Sequence, residues 1–220
     1  MLTKFYEFLI QPLMPRARIL LALLVIPLGL AFSAPLWRIS MVAPQYPQGL
    51  AMDVYAYKLV GGNDGQDIKE INVLNHYIGM RKIDAAAFAD LDWIPFALGA
   101  MALVCLRCAA LGTVRDLIDL LVVTGYVSVF SFGRFVYRLW VFGHDLDPHA
   151  PVKVKPFMPV VLGHATVANF ETFSYPQLGS WLMLAFGAGV AALALWHLAV
   201  GRQRAKASLA TSTAAVPAHG

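Results

Sequence analysis

Hydrophobic positions fall in four long runs, separated by polar intervals of very unequal length. The runs are Ile19 to Trp37, Trp93 to Leu106, about Leu117 to Phe142, and Trp181 to Val200. A bilayer crossing needs about 20 predominantly apolar residues. The pattern therefore predicts transmembrane helices over 19–38, 93–112, 117–142 and 180–200. The second reaches a full crossing only if Arg107 snorkels toward water and Cys108 to Gly112 continue the helix. The third is amphipathic at its start, where Arg115, Asp116 and Asp119 cluster. The first has a basic flank and a small-x-small site at Ala31-Phe32-Ser33, as a cleaved leader would. Its long preceding segment and its continuation through Ala34-Pro35-Leu36-Trp37 favour an uncleaved anchor.

The intervals carry their own signals. Segment 39–92 is too long for a simple connector. A proline-bracketed turn over 43–50 leads into Leu50 to Val60, whose valine and tyrosine content favours a strand. Gly61-Gly62-Asn63-Asp64-Gly65 is a turn, and Asp84 to Ala89 reads as a short helix. Segment 143–179 holds prolines at 148, 151, 156, 159 and 176, which forbid a long helix, although Ala165 to Phe173 could form a short one. Residues 1–18 form a short N-terminal segment, and 201–220 read as a disordered tail. The expected fold is an all-α membrane protein: four transmembrane helices under a small mixed cap built by the two long loops.

Composition agrees. The chain is 59% hydrophobic and 14% charged, with a mean hydropathy of +0.63, whereas soluble domains carry about 25% charged residues. Lysines and arginines are about equal in number on the two sides of the predicted membrane. They are denser in the shorter segments bearing Lys4, Arg16, Arg18, Arg107, Arg115, Arg202, Arg204 and Lys206. The density places both termini inside. The net charge of +4 comes from membrane flanks, and no basic stripe suggests nucleic acid. The two cysteines, Cys105 and Cys108, lie toward the inner end of the second run, so no disulfide holds the outer loops.

Candidate chemistry concentrates in Ile71-Asn72-Val73-Leu74-Asn75-His76-Tyr77-Ile78-Gly79-Met80. His76 and Met80 stand four apart, on one face if the segment is helical. His144, His149 and His164 lie in the second outer loop, and Met41, Met52 and Met158 are also outside the apolar runs. Imidazole and thioether without thiolate suit copper, especially Cu(I), better than magnesium or calcium. The same side chains could instead pack and hydrogen-bond within the cap, or touch a protein partner. Asn75, Tyr77 and Asp145 are placed to orient the ligands. Alternatively, Asp145-Leu146-Asp147-Pro148 simply caps a turn. Arg134 and Arg138, a helical turn apart in the third run, imply an ion pair with Asp92, Asp145 or Glu171, or a headgroup, quinone or anion site. Cys105-Leu106-Arg107-Cys108 has a metal or redox spacing but reads first as buried small residues. His197 has no histidine at matching depth in another span, which argues against bis-histidine haem. No P-loop, G-x-S-x-G or H-E-x-x-H is present, and no catalytic set surrounds the ten-residue segment.

Three stretches, Pro44-Gln45-Tyr46-Pro47-x-Gly49-Leu50, Ile71-Asn72-x-Leu74-Asn75-His76-Tyr77-Ile78-Gly79-Met80 and Gly143-His144-Asp145-Leu146-Asp147-Pro148, carry a resemblance. They resemble a family of small bacterial inner-membrane proteins associated with gene clusters for nitrous oxide reductase and its copper-delivery accessories. The resemblance covers the first three spans and both outer loops. It implies a bacterial inner-membrane protein with cytoplasmic termini, working as an accessory in periplasmic copper or electron-transfer biology. With the ligand reading, the expectation is a non-enzymatic accessory of a respiratory copper enzyme that assists assembly, copper supply or electron delivery. Its partners would be the bilayer and a larger membrane or periplasmic protein. The alternatives are a metal-free structural docking subunit and a quinone-interacting oxidoreductase subunit.

Overall fold

The computed structural model describes residues 2–84, 88, 90–167 and 169–214. The elements are α1 (Leu2–Leu9), α2 (Pro15–Ser33), β1 (Trp37–Ala43), β2 (Tyr46–Val54), β3 (Leu59–Gly61), α3 (Gln66–Tyr77), α4 (Asp90–Leu111), α5 (Val114–His144), β4 (Gly163–Val167), β5 (Phe170–Pro176) and α6 (Leu178–Ala214). Four of the helices, α2, α4, α5 and the first part of α6, are long and apolar enough to cross a membrane. Their large outward residues, such as Phe96, Val129 and Leu195, stay bare in the protein alone, where lipid would cover them.

Local chemistry sets the helix ends. Thr113 and Asp116 form a capping box: the Thr113 hydroxyl accepts from the Asp116 N–H at 3.3 Å, and the Asp116 carboxylate accepts from the Thr113 N–H at 2.7 Å. That box starts α5 at Val114, ahead of the charged positions that hydropathy alone excludes. Asp90 and Asp92 in the first turn of α4 favour an earlier start than Trp93. The Ala34-Pro35 step ends α2 at Ser33, because a residue before proline avoids helical backbone. The first apolar run therefore does not stay helical to Trp37, which instead opens β1. At the other terminus the tail expected to be disordered continues as helix to Ala214, in keeping with its alanine and lysine content. Residues 215–220 lie outside the described residues.

The four long apolar helices are as expected, but the five strands of the cap mean that the chain is not purely all-α. Five antiparallel strands form one sheet in the order β3-β2-β1-β5-β4. The helix expected over 165–173 is instead the β4–β5 hairpin, with Ala165 opposite Thr172 and Thr166 opposite Glu171. The strand expected over 50–60 is two strands divided at Tyr55, whose N–H donates to the Lys58 carbonyl at 2.9 Å. The helix expected over 84–89 falls mainly outside the described residues.

The sheet is rooted in the bundle. Its central strand β1 follows α2 directly, and its neighbour β5 leads directly into α6. The Gly179 N–H donates to the Pro35 carbonyl and the Ser180 hydroxyl to the Leu36 carbonyl, at 2.9 and 2.6 Å. A Cβ at Gly179 would stand 2.8 Å from the Pro35 oxygen, so only glycine allows this approach. At the opposite end Leu13 and Val114 exchange backbone hydrogen bonds with Gly112 and Gln11, seating the link after α1 against the α4–α5 turn.

Two apolar cores result. One fills the bundle around Leu21, Leu117, Leu120, Phe186 and Val190. The other lies between the sheet and α3, around Leu50, Met52, Ile71 and Leu74. Asp67 locks the second. It is 4% exposed, and its carboxylate accepts from the Ala51 N–H at 2.8 Å and the Asn63 amide at 2.7 Å. Asp67→Ala is expected to cost about 2–3 kcal/mol, because both donors lose a charged acceptor in a buried place. Thermal unfolding in detergent reads this directly, and a loss under about 0.5 kcal/mol, the range of an ordinary surface change, would rule out the role assigned to Asp67.

Candidate functional site

The segment 71–80 is the end of α3 and its exit. The Met80 N–H donates to the Asn75 carbonyl at 2.8 Å and the Gly79 N–H to the His76 carbonyl at 3.2 Å. With Gly79 at φ +76° these bonds make a Schellman cap, which closes the last carbonyls of the helix. His76 and Met80 therefore do not share a helical face, as their spacing suggested. The chain reverses between them, and the reversal still leaves both on the wall of one groove of about 460 Å³ with Lys69, Asn72, Val73, Tyr77 and Lys82. Glycine two residues beyond the last helical position is the sequence signal for this cap.

The two asparagines are engaged in the fold. Asn72 acts like a strand partner to Ile83, accepting from its N–H at 2.6 Å and donating to its carbonyl at 2.9 Å. Asn75 is buried and reaches the Arg81 carbonyl at 3.4 Å, so it orders the chain after Met80 and does not turn toward the His76 ring. Tyr77 is exposed, with its ring centroid 6.5 Å from that of His76.

The loop between α5 and β4 docks here. Asp147 donates its N–H to the Gly79 carbonyl at 2.8 Å, Val152 to the Tyr77 carbonyl at 2.9 Å, and Arg81 pairs with Asp145. Asp145 is thereby committed to an arginine and orients no histidine. Asp147 takes the place expected of Asp145. It accepts the His149 N–H at 2.8 Å and lies 3.3 Å from the His149 ring, and the charge of His76 also reaches it. The His149 backbone N–H, followed by the His149 ring and His76, holds the Asp147 carboxyl below its ordinary range.

The five expected ligands thus divide. His76 and Met80 share a groove, and His149 reaches the same corner through Asp147. His144 is elsewhere, stacked on Trp140 at 4.5 Å with its Nδ1 3.0 Å from the Trp140 carbonyl oxygen. His164 lies on the edge strand β4, stacked on Phe173. A site that gathers all four loop histidines is not formed: His144 stays on the last turn of α5, and β4, which carries His164, is separated by two strands from β2, against which α3 packs. Among the described residues no group of three or more His, Cys, Asp or Glu side chains is placed to hold a metal. The donors that do come together, one imidazole and one thioether, fit a soft monovalent ion and lack the oxygen ligands a hard cation needs.

Behind the groove lies a second space. A pocket of about 100 Å³ lies between the sheet, α3 and the end of α5, and its walls include Met41, Met52, Met80, Asn75, Leu139 and Phe142. Met80 lines both spaces. Sequence reading placed Met41 and Met52 near the histidines only in number. That they line one pocket with Met80 depends on strand register, to which local pattern is blind.

Arg134 and Arg138 both converge on Asp90. The Arg134 Nε stands 2.9 Å from one carboxylate oxygen and the Arg138 Nε 3.0 Å from the other. The partner is none of the three expected acids, and the pair joins α5 to α4 in place of joining the cap to the bundle. Cys105 and Cys108 are free thiols buried in the bundle, and the Cys105 Sγ donates to the Leu21 carbonyl. His197 is buried too, with its Nδ1 2.9 Å from the Leu193 carbonyl oxygen. Compared with known proteins, the chain matches no protein-family model, no curated protein and no solved structure.

Proposed function

We propose that this chain is an inner-membrane accessory protein that holds Cu(I) in its periplasmic cap and assists assembly of, or copper supply to, a respiratory copper enzyme. The observation that carries the reading is the shared groove wall of His76 and Met80. Bound copper would supply the cargo or electron-carrying centre, and the chain itself supplies soft donors and a cap fixed to the membrane. Lys69 and Lys82 make the groove positive. At a given distance that charge opposes a dication twice as strongly as a monocation, which favours Cu(I) over Zn(II) or Cu(II). The resemblance of the outer-loop motifs to proteins of copper-enzyme gene clusters supports the same side of the membrane and the same cargo. Arg134 and Arg138 are already engaged by Asp90, so a quinone or other anion at that place would have to displace a carboxylate.

The test is anaerobic Cu(I) loading of the purified full chain in detergent, with bicinchoninate as competing chelator. Wild type is expected to retain about one equivalent. The double variant His76→Ala/Met80→Leu is expected to bind at least about tenfold more weakly, since even groups that only orient a ligand are worth that much. Equal binding by wild type and variant, or negligible copper in both, ends the proposal.

A further inference from the structure

We infer that Met41, Met52 and Met80 form a buried Cu(I) site of three thioethers inside the cap, entered from the His76 groove through Met80. The inference rests on the copper reading above and gives it a second, deeper set of ligands.

The register supplies the placement. Met52 on β2 stands opposite Ile39 on β1, while Met41 stands opposite Leu50. Ile39, Met41 and Met52 all line the cavity, so the two methionines lie on one face of the sheet as diagonal neighbours. Diagonal positions on adjacent antiparallel strands are about 7–8 Å apart, within reach of long side chains. Met80 comes from the facing wall, held there by the Schellman cap of α3.

Composition makes the meeting notable. The chain has eight methionines in 220 residues, and three of them line this one cavity. Among the described residues its polar walls are only Ser40, Asn75 and Thr172, with no carboxylate and no ammonium. A hard cation finds no anionic oxygen ligand there, whereas thioethers select Cu(I). A hydrated ion must shed its water to enter. Met80 makes that exchange stepwise, because its flexible side chain lines both the groove and the inner pocket. No redox change is involved: His76 and solvent are replaced by sulfur donors around an ion that stays monovalent.

The experiment uses the full chain in detergent, loaded anaerobically with Cu(I) against bicinchoninate and examined by X-ray absorption at the copper edge. Because Met80 is shared, wild type is expected to bind one ion in a sulfur-dominated shell. His76→Ala should keep that shell. Met41→Leu/Met52→Leu, which conserves volume, should weaken binding at least about tenfold and shift the shell toward nitrogen. A folded-state measurement on unmutated protein runs beside it. With 13C-methyl methionine, the Met41, Met52 and Met80 signals should move together up to one equivalent of Cu(I).

If the Met41/Met52 variant binds as wild type does, or if only the Met80 methyl moves, the two strand methionines are packing residues. The inference is then overturned while the groove reading stands. If wild type takes up no copper, both fall.

Discussion

Asp90→Ala is expected to destabilise the helix bundle by about 3 kcal/mol, the lower end of the cost of leaving a buried charge without its partner. The Asp90 side chain is 13% exposed and accepts from Arg134, Arg138 and the Trp93 indole together. Its removal strands two guanidinium groups one helical turn apart. Depth limits the damage. The 31 residues of α5 span about 46 Å, more than the roughly 30 Å hydrocarbon core. Arg134 lies about 30 Å along the helix from Val114, so both arginines can turn part of the way to the interface. The discriminating control is Asp92→Ala. Asp92 is exposed in the same first turn of α4 and was one of the three acids that the sequence offered to Arg134. Its loss is expected to stay within about 0.5 kcal/mol, as for other surface positions. Thermal unfolding of both variants in detergent decides the matter, and equal losses would contradict the pairing.

Why the sequence pointed to the wrong acid is a matter of geometry. Hydropathy places an arginine at a depth but says nothing about which face of which neighbour it meets. Asp90 sat just outside the predicted second span, and only the earlier start of α4 brings it level with Arg134. The spans themselves were legible because twenty apolar residues are a local signal. The sheet was not. Trp37 pairs with Pro176 and Arg38 with Tyr175, across most of the chain, and no window of local periodicity contains both partners. Only the first two residues of β1, Trp37 and Arg38, fell in the predicted first span, and the rest of the strand was left in the loop over 39–92.

The candidate site divides along the same line. His76 and Met80 are close in sequence, and their nearness survives although the helix they were expected to share ends at Tyr77. The Asp147–Gly79 backbone bond brings the loop that carries His149 to the same corner, whereas His144 stays stacked on Trp140 at the end of α5 and strand order carries His164 elsewhere. Asn72 and Asn75 looked like ligand-holding amides, but each satisfies backbone of the segment 81–83. A polar cluster beside a membrane must first satisfy the groups it buries, and two of its four polar side chains here, Asn72 and Asn75, do that.

Gly79→Ala is expected to separate the two halves of the cap, with a local cost of about 3 kcal/mol. Two terms add. A non-glycine residue at φ +76° costs about 1–2 kcal/mol. The new Cβ would also stand 2.8 Å from the Asp147 carbonyl oxygen and 2.9 Å from the Ala150 Cβ, so the loop after α5 must retreat. Retreat gives up the hydrogen bonds from Asp147 to Gly79 and from Val152 to Tyr77, each worth about 1 kcal/mol. Gly65→Ala separates these terms. Gly65 has nearly the same dihedral, φ +86°, but nothing lies within 4 Å of its added Cβ, so only the backbone term applies. Hydrogen exchange reports the difference at the right place. In Gly79→Ala the Asp147 and Val152 amides should exchange about a hundredfold faster, the factor that about 3 kcal/mol allows, while the α5 amides within the bundle keep their protection. In Gly65→Ala the same two amides should be unchanged. Met80 follows Gly79 directly and forms the wall between groove and cavity, so Cu(I) retention should fall with the loop contacts in the first variant and persist in the second. Retention that is unaffected by Gly79→Ala, with the loop amides open, would mean that the copper donors do not depend on the junction that positions Met80.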